Sequence, residues 1–265
     1  MATLVSFHAH PDDESIQTGG TLAKAAAAGH RVVLVFATRG EHGEVADGFL
    51  DDGEALADRR VREAHASAEV LGAARVAFLG YRDSGMMGTA ENDHPGAFWR
   101  ADLDEAAGRL AAILEEERAE VLTVYDSDGG YGHPDHIQVH RVGVRAAELV
   151  GTPRVYEATM NRDYIRRVMQ EAVASGELPP DDAPEVTDLD TFGRPESAIT
   201  TAVDVTGYLH HKRASMAAHA SQIPPDSFFL SLPDEAFARS FGIEWYIRHG
   251  EPGGIREDDL LAGLA

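Results

Sequence analysis

The chain has 265 residues, of which 43% are hydrophobic and 26% are charged, and its formal net charge is −22. This balance is typical of a globular protein with a sizeable core and argues against disorder. The negative charge also argues against a nucleic-acid partner, because binding to a phosphate backbone depends on clustered lysine and arginine.

The sequence contains no cysteine, so disulfides are excluded and any metal ion would be bound through nitrogen and oxygen. No basic leader or cleavage site precedes the first apolar run, residues 3–7, and the longest apolar stretch, residues 22–37, is interrupted by polar side chains. We therefore expect a cytoplasmic protein without a membrane partner. The sequence leaves open whether it forms an oligomer.

Short β-branched runs alternate with Ala-rich segments of helical period through the first two thirds of the chain. The predicted strands are residues 3–9, 31–38, 75–80, 120–126 and 154–159, and the predicted helices are residues 15–28, 54–71, 102–118, 134–149 and 161–174. Such alternation is typical of βαβ units. We therefore predict an α/β fold with a doubly wound, mainly parallel sheet and helices on both faces.

An acidic, proline-rich stretch at residues 176–196 separates this pattern from a shorter one. The later part of the chain predicts a strand, a helix, a short helix and a strand, at residues 198–205, 206–220, 233–239 and 241–247. We expect one domain over residues 1–265. Its core would be residues 1–175, and residues 176–265 would be an extension that caps the core or lengthens its sheet.

Two polar clusters each follow a predicted strand. HAHPDDES (8–15) comes at the end of the first strand, and YDSDGGYGHPDHIQVH (125–140) at the end of the fourth. Because ligands bind beyond the carboxyl ends of the strands in open parallel sheets, we expect both clusters at one edge of the sheet. The long loops 39–53 and 80–101 are expected to form binding surfaces there.

Three side chains in these clusters form a candidate metal site. His10 and Asp13 are three residues apart at a turn into a helix, and His136 lies in the second cluster. Two histidines and one carboxylate suit a catalytic Zn²⁺ with a position left for water, and the same set suits Fe²⁺. Asp12 would be the general base that takes a proton from this water.

The second cluster also carries candidates for stabilising the reaction. An imidazolium at His133 could stabilise the oxyanion of an attacked carbonyl or protonate the leaving group, with Asp135 orienting its ring. Tyr131 lies among glycines and could turn its hydroxyl toward the same oxyanion.

Structural roles compete with some of these interpretations. An acidic run at a helix start often caps the helix, which we favour for Glu14 but not for Asp12 or Asp13. His8 and His140 could also approach the site. We expect both rings to be packed or to support a ligand from behind.

AHPDDE (9–14) together with HPDH (133–136), each after a predicted strand, resembles the LmbE-like, or PIG-L-like, family of zinc-dependent de-N-acetylases. The resemblance implies a Rossmann-like fold and the hydrolysis of an N-acetyl group, usually from a glucosamine-containing conjugate. It also implies the metal ligands, the base and the oxyanion or acid histidine that the residue types suggest.

Further segments, RDSGMMGT (82–89) and AHASQI (218–223), are similar to actinobacterial members that act in mycothiol metabolism: a deacetylase of N-acetylglucosaminyl-inositol and an amidase of mycothiol S-conjugates. This likeness implies sugar-binding roles for Arg60 and Asp83 and a mobile, oxyanion-side position for Tyr131. The residue types alone leave two of these roles open, since Arg60 could lie in solvent on its helix and Asp83 could shape a turn.

The leading hypothesis is a metal-dependent hydrolase that removes the N-acetyl group from a GlcNAc-type small-molecule conjugate, such as N-acetylglucosaminyl-inositol. An amidase of mycothiol-type S-conjugates is the alternative among hydrolases. A non-catalytic sugar- or nucleotide-binding protein, or a metal-bearing structural protein, would belong to a different class. The missing G-x-G-x-x-G after the first strand argues against a dinucleotide ligand.

Overall fold

The computed structural model describes residues 1–175 and 191–264 of the chain. They contain a seven-stranded sheet of order β3-β2-β1-β4-β5-β7-β6. The strands are β1 (Thr3–His8), β2 (Arg31–Phe36), β3 (Arg75–Phe78), β4 (Val121–Tyr125), β5 (Arg154–Thr159), β6 (Thr201–Asp204) and β7 (Ile243–Arg248). The helices are α1 (Gly19–Ala27), α2 (Leu56–Leu71), α3 (Leu103–Glu117), α4 (Gly129–Gly132), α5 (Pro134–Val150), α6 (Arg162–Ser175), α7 (Leu209–Ala218), α8 (Phe228–Ser231) and α9 (Asp234–Phe241).

The first five strands pair in parallel, and β6 and β7 join them antiparallel. From β1 the chain moves outward to β2 and β3 on one side, and then returns to the other side as β4, which pairs with β1 from Leu4–Val121 to Ser6–Thr123. The carboxyl ends of β1 and β4 therefore lie side by side at the switch point of the sheet. The predicted doubly wound α/β fold is confirmed.

The strand β1 is buried on both faces of the sheet. Leu4 packs in an apolar cluster with Leu22 of α1 and Leu71 of α2, whereas Val5 packs in a second cluster with Leu110 of α3. Successive residues of a strand point to opposite faces. Helices on both sides therefore explain why β1 carries buried side chains on both of its faces.

The C-terminal part of the chain lengthens the sheet. The pairing of β7 with β5 runs from Tyr156–Arg248 to Thr159–Trp245, and β6 pairs with the far side of β7. Helix α7 packs on α1 and α2, which brings the residues after it toward the first polar cluster. Most of the predicted acidic linker, residues 176–196, lies outside the described residues. That the chain forms a single domain stays a prediction.

One local feature differs from the predicted elements. Residues Glu14–Thr18 form a single π-helical turn before α1, where the sequence pattern predicts the start of an α-helix. Such turns are rare in proteins, and those that occur often lie at functional sites. Within the described ranges, no helix combines the length and the apolar character needed to cross a membrane.

Candidate active site

His10, Asp13 and His136 meet at the carboxyl ends of β1 and β4. Asp13 Oδ2 lies 3.5 Å from His10 Nδ1, and Asp13 Oδ1 lies 3.4 Å from His136 Nε2. All three side chains are buried, and one potential ligand atom from each lies within 4.8 Å of the others. The structure therefore brings the predicted ligand set together.

The hydrogen bonding of the two histidines fits a metal ion. His136 is fully buried, yet neither of its ring nitrogens has a hydrogen-bond partner among the residues that the structure describes. Buried polar atoms without a partner are costly, and a cation at Nε2 would satisfy one of them. His10 Nε2 lies 3.2 Å from Asp135 Oδ2, the kind of carboxylate support that metal-binding histidines usually have.

The electrostatics of the site favour positive charge. Burial alone would lower the pKa of His10, but hydrogen bonds with Asp13, Asp135 and Asp83 raise this pKa well above its ordinary value. Burial alone would raise the pKa of Asp13, but His136 and His10 hold it well below its ordinary value. A divalent cation would supply the charge that these carboxylates attract.

The turn before His136 depends on a glycine. Gly129 has a φ of 67°, and a Cβ at this position would lie 2.7 Å from the Cβ of His136. The turn is fixed by Asp126 Oδ1, which accepts hydrogen bonds from the backbone N–H groups of Asp128 and Gly130, each at 3.0 Å. Glycine thus lets the backbone pass close to the side chain of His136.

Asp12 lies beside the ligand set, and its side chain is 18% exposed. Its Oδ2 accepts a hydrogen bond from Arg60 Nη2 at 3.2 Å. Burial raises the pKa of Asp12 to about 6, although the charge of Arg60 opposes this rise. A carboxyl group that can take up and release a proton near neutral pH suits a general base, and this role stays a prediction.

The side chain of Asp135 does not orient His133 as the sequence suggested. Its carboxylate accepts hydrogen bonds from the backbone N–H and the hydroxyl of Ser84, and it faces His10. The backbone N–H of Asp135 performs the orienting contact, because it donates to His133 Nδ1 at 3.1 Å. The reason is helix geometry, since His133 is the N-cap of α5 and Asp135 is in the first turn.

This contact also determines which nitrogen of His133 carries the proton. Because Nδ1 accepts a hydrogen bond, the neutral ring bears its hydrogen on Nε2. Burial, and then the nearby His10 and His136, lower the pKa of His133 to about 4. The geometry therefore favours a neutral hydrogen-bond donor at this position over the imidazolium that we expected.

Tyr131 lies at the rim of the site. Its ring centroid is 5.0 Å from that of His136 and 6.3 Å from that of His133, and its other neighbour is the ring of Phe192. Burial and the charge of Asp13 raise the pKa of Tyr131 above its ordinary value. The hydroxyl thus keeps its proton at neutral pH and can donate a hydrogen bond.

Arg60 does not lie in solvent, so that interpretation is wrong. The side chain is buried and donates to the backbone oxygen atoms of Gly40 and Pro11 as well as to Asp12. Arg60 therefore joins the loop after β2 to the first motif. Among the described residues, its Nε has no hydrogen-bond partner.

Asp83 is also buried, and it shapes a turn as one interpretation predicted. Its Oδ1 accepts from the backbone N–H of Gly85 at 2.8 Å, and its Oδ2 accepts from that of His42 at 3.1 Å. Oδ1 lies 3.5 Å from His10 Nε2. Burial would raise the pKa of Asp83, but His10 and these amides hold it well below its ordinary value. Its predicted role in sugar binding is not tested by this geometry.

Glu14 has a different role from the helix cap that we favoured. The carboxylate is fully buried, and it bonds to His219 from the end of α7 and to Ser67 of α2. His219 lies in AHASQI, a segment that the family resemblance marked without assigning a role to this residue. The distance in sequence, 205 residues, hides such a pair from any local pattern.

His8 and His140 are packed, as expected. His8 is buried between the hydroxyl groups of Ser6 and Tyr125, at 2.7 and 3.0 Å, and His140 Nδ1 lies 3.0 Å from the backbone oxygen of Tyr125. Among the described residues, neither ring belongs to a group that could hold a metal ion. A second such group, His10 with Asp83 and His133, shares His10 with the first.

Comparisons with known proteins agree with this geometry. Residues 5–147 match the family model described as PIG-L, GlcNAc-PI de-N-acetylase. The chain is 44% identical to a protein of Acidothermus cellulolyticus, over 100% of this chain and 96% of the relative, and 45% identical to one of Streptomyces avermitilis, over 99% and 97%. Both relatives are named 1D-myo-inositol 2-acetamido-2-deoxy-alpha-D-glucopyranoside deacetylase.

The fold is also known from solved structures. A deacetylase of the teicoplanin biosynthesis pathway superposes with a TM-score of 0.62 at 16% identity, over 94% of this chain and 100% of that one. At this identity the likeness concerns the fold alone. The family match covers more than half of the chain, and the relatives align along all or nearly all of it. The chain therefore belongs to the PIG-L family of GlcNAc-PI de-N-acetylases.

Proposed function

We propose that this chain removes the N-acetyl group from 1D-myo-inositol 2-acetamido-2-deoxy-α-D-glucopyranoside, the GlcNAc–inositol conjugate after which its relatives are named. The chain is an N-deacetylase by its family, and the finer proposal is its substrate and the roles of its residues. One observation carries these roles. Two histidines and a carboxylate converge from two strand ends, and Asp12, a second carboxylate outside this group, lies beside them.

We propose Zn²⁺ as the metal, with Fe²⁺ as the alternative that the same ligands allow. His10, Asp13 and His136 would hold the ion, and Asp135 would support His10 from behind. When bound, such an ion polarises an amide carbonyl and lowers the pKa of water to about 7.

The chain's own residues then move the protons. Asp12 accepts a proton from the attacking water while the oxygen of this water bonds to the amide carbonyl carbon. With a pKa of about 6, Asp12 can return this proton to the departing amine nitrogen when the C–N bond breaks. The products are acetate and the free amino sugar, and Asp12 is ionised again.

Two neutral donors would stabilise the oxyanion formed in between. The lowered pKa of His133 keeps its ring neutral at neutral pH, with the remaining proton on Nε2, and the raised pKa of Tyr131 keeps its hydroxyl protonated. Neutral donors fixed by the protein can stabilise developing negative charge. Arg60 and Asp83 would bind sugar hydroxyls with the hydrogen-bonding capacity that their contacts within the protein leave free.

The test measures acetate release, free-amine formation and metal content together on purified protein, because cleavage of the larger amide in an S-conjugate frees an amine without releasing acetate. The substrates are GlcNAc–inositol, free GlcNAc and a mycothiol-type S-conjugate. We expect one bound metal per chain and acetate from GlcNAc–inositol well above that from free GlcNAc. Activity on the bulky S-conjugate alone would replace the deacetylase proposal with the amidase alternative.

A further inference from the structure

The pair formed by Glu14 and His219 is buried next to the site but contributes no metal ligand. Both side chains have no exposed surface, and His219 Nε2 lies 2.5 Å from Glu14 Oε1. The hydroxyl groups of Ser67 and Ser15 donate to the same oxygen, at 2.5 and 3.0 Å. Three separate segments of the chain thus converge on a single carboxylate oxygen.

The other oxygen of Glu14 holds the backbone of the proposed base. Glu14 Oε2 accepts a hydrogen bond from the backbone N–H of Asp12 at 2.9 Å. Asp12 has a backbone φ of 114°, a value that residues other than glycine rarely adopt. A residue persists in such a conformation only where its surroundings hold it there.

We infer that His219 is a positioning residue for catalysis: by fixing Glu14 it holds the Asp12 backbone, and thereby directs the Asp12 carboxylate toward the reacting water. The inference rests on the proposed function, since it takes Asp12 as the base. The path is short and continuous, from His219 Nε2 through the Glu14 carboxylate to the Asp12 amide. From the other side, Arg60 fixes the Asp12 carboxylate and the backbone of Pro11.

The ring of His219 makes this contact and no other polar one among the described residues. Its Nδ1 is buried without a hydrogen-bond partner, so the Nε2 contact is the polar interaction that favours a histidine here. Without the imidazole, Glu14 Oε1 would lose the contact that comes from the end of α7. The buried carboxylate could then shift, and its hold on the Asp12 amide would weaken.

A matched control lies two residues further along the chain. Ser221 also comes from the segment after α7 and also bonds a buried carboxylate, since its backbone N–H and hydroxyl donate to Glu63 of α2 at 2.9 and 2.6 Å. This contact ties the same segment to α2. The Ser221–Glu63 contact involves neither Asp12 nor Glu14.

The experiment compares zinc-loaded wild type with His219→Leu, His219→Gln and Ser221→Ala. We expect His219→Leu to lower kcat about 10- to 100-fold, with KM and bound zinc close to wild type, as for residues that support a ligand from behind. His219→Gln keeps an N–H donor and should recover most of the loss. Ser221→Ala should keep kcat near wild type, even if its melting temperature falls.

A second measurement does not depend on activity. Amide hydrogen exchange of a peptide covering residues 8–15 includes the Asp12 N–H, and we expect faster exchange in His219→Leu than in Ser221→Ala. If His219→Leu does not fold, His219→Asn serves in its place, because its shorter amide does not reach Glu14.

The outcomes separate the two proposals. Equal losses of kcat in the His219 and Ser221 variants, or unchanged exchange at residues 8–15, would overturn the positioning role and leave the deacetylase proposal standing. If the wild type releases no acetate from GlcNAc–inositol, the proposed substrate is wrong. The exchange data then still decide whether His219 holds the Asp12 backbone.

Discussion

Asp12 and Asp13 are neighbours in sequence with opposite electrostatic surroundings. Burial raises the pKa of Asp12 to about 6, whereas His136 and His10 hold the pKa of Asp13 well below its ordinary value. Two carboxyl groups whose pKa values are pushed apart are suited to different tasks. Asp13 stays ionised for a cation, and Asp12 can exchange a proton.

Replacing the proposed base tests this division. Asp12→Asn keeps the shape of the side chain but cannot accept the proton, so we expect kcat to fall about 10²- to 10⁴-fold with bound metal unchanged. Steady-state kinetics with metal analysis check this. Asp128→Asn, at an exposed aspartate of the second motif, is the control and should retain activity. Wild-type turnover in Asp12→Asn with full metal content would show that the base is another residue.

His133 and His136 differ in what their loss should do. His133→Asn keeps an N-cap acceptor for the Asp135 N–H, so we expect a folded protein that binds metal but has lost the oxyanion donor. The expected fall in kcat is about 10²- to 10³-fold. His136→Asn should instead lose the metal. Metal loss in the His133 variant, as in the His136 variant, would contradict the roles that we propose for them.

At the scale of elements, the sheet is what joins the two motifs. Parallel pairing of β1 with β4 places residues that are more than a hundred positions apart at one edge. A second contact, between α3, β2 and β3, lies at the opposite edge of the sheet. Glu117, the last residue of α3, accepts hydrogen bonds from Arg31 at the start of β2 and from Arg75 at the start of β3, at 2.6 and 2.7 Å.

The contact of Glu117 with Arg31 and Arg75, here called the Glu117 clamp, gives a pH-dependent contribution to stability. Arg31 first, and then Arg75, lower the pKa of Glu117 below its ordinary value of 4.5. The folded state therefore gains stability from an ionised Glu117 above about pH 4.5, and loses it as the pH falls through the lowered value. We expect Glu117→Gln to reduce the free energy of unfolding by about 0.5–1 kcal/mol at pH 7, because both arginines are partly exposed.

Urea unfolding at several pH values checks the sign. The difference between wild type and Glu117→Gln should shrink as the pH is lowered below 4. Glu116→Gln is the control, since Glu116 is largely exposed and pairs with Arg75 alone. A difference that grows toward low pH would contradict the clamp.

At the scale of the whole molecule, the C-terminal part of the chain completes the environment of the first motif. Glu244 of β7 accepts hydrogen bonds from the backbone N–H groups of Gly20 and Thr21 at the start of α1, each at 2.8 Å. Lys212 of α7 pairs with this buried carboxylate and also donates to the backbone oxygen of Ile16. The turn that follows Asp13 is thus held from the far end of the chain.

Metal binding should therefore stabilise the whole fold. A ligand present at about 100 times its Kd adds about 2.7 kcal/mol to the free energy of unfolding if it binds the folded state alone. We expect chelator-treated protein to melt at a lower temperature than zinc-loaded protein, and His136→Asn to show little response to zinc. Equal melting temperatures with and without zinc would mean that the three residues do not form a metal site.

The sequence by itself determined the fold class, the family and the deacetylase reaction. Strand-and-helix periodicity predicts the parallel sheet, and the topology of such a sheet brings AHPDDE and HPDH to one edge whatever the details of packing. The proximity of His10, Asp13 and His136 follows from these local patterns, because each ligand directly follows a strand or starts a helix. The pairing of β1 with β4 then brings them together.

The tertiary structure decided which partner each side chain takes. It directs the Asp135 carboxylate to His10, buries Arg60 against Asp12, and joins Glu14 to His219 from the other end of the chain. These contacts are made through space between elements that periodicity treats independently. Hydrogen-bond partners of buried charges depend on how helices pack across the sheet, and only the folded chain contains that information.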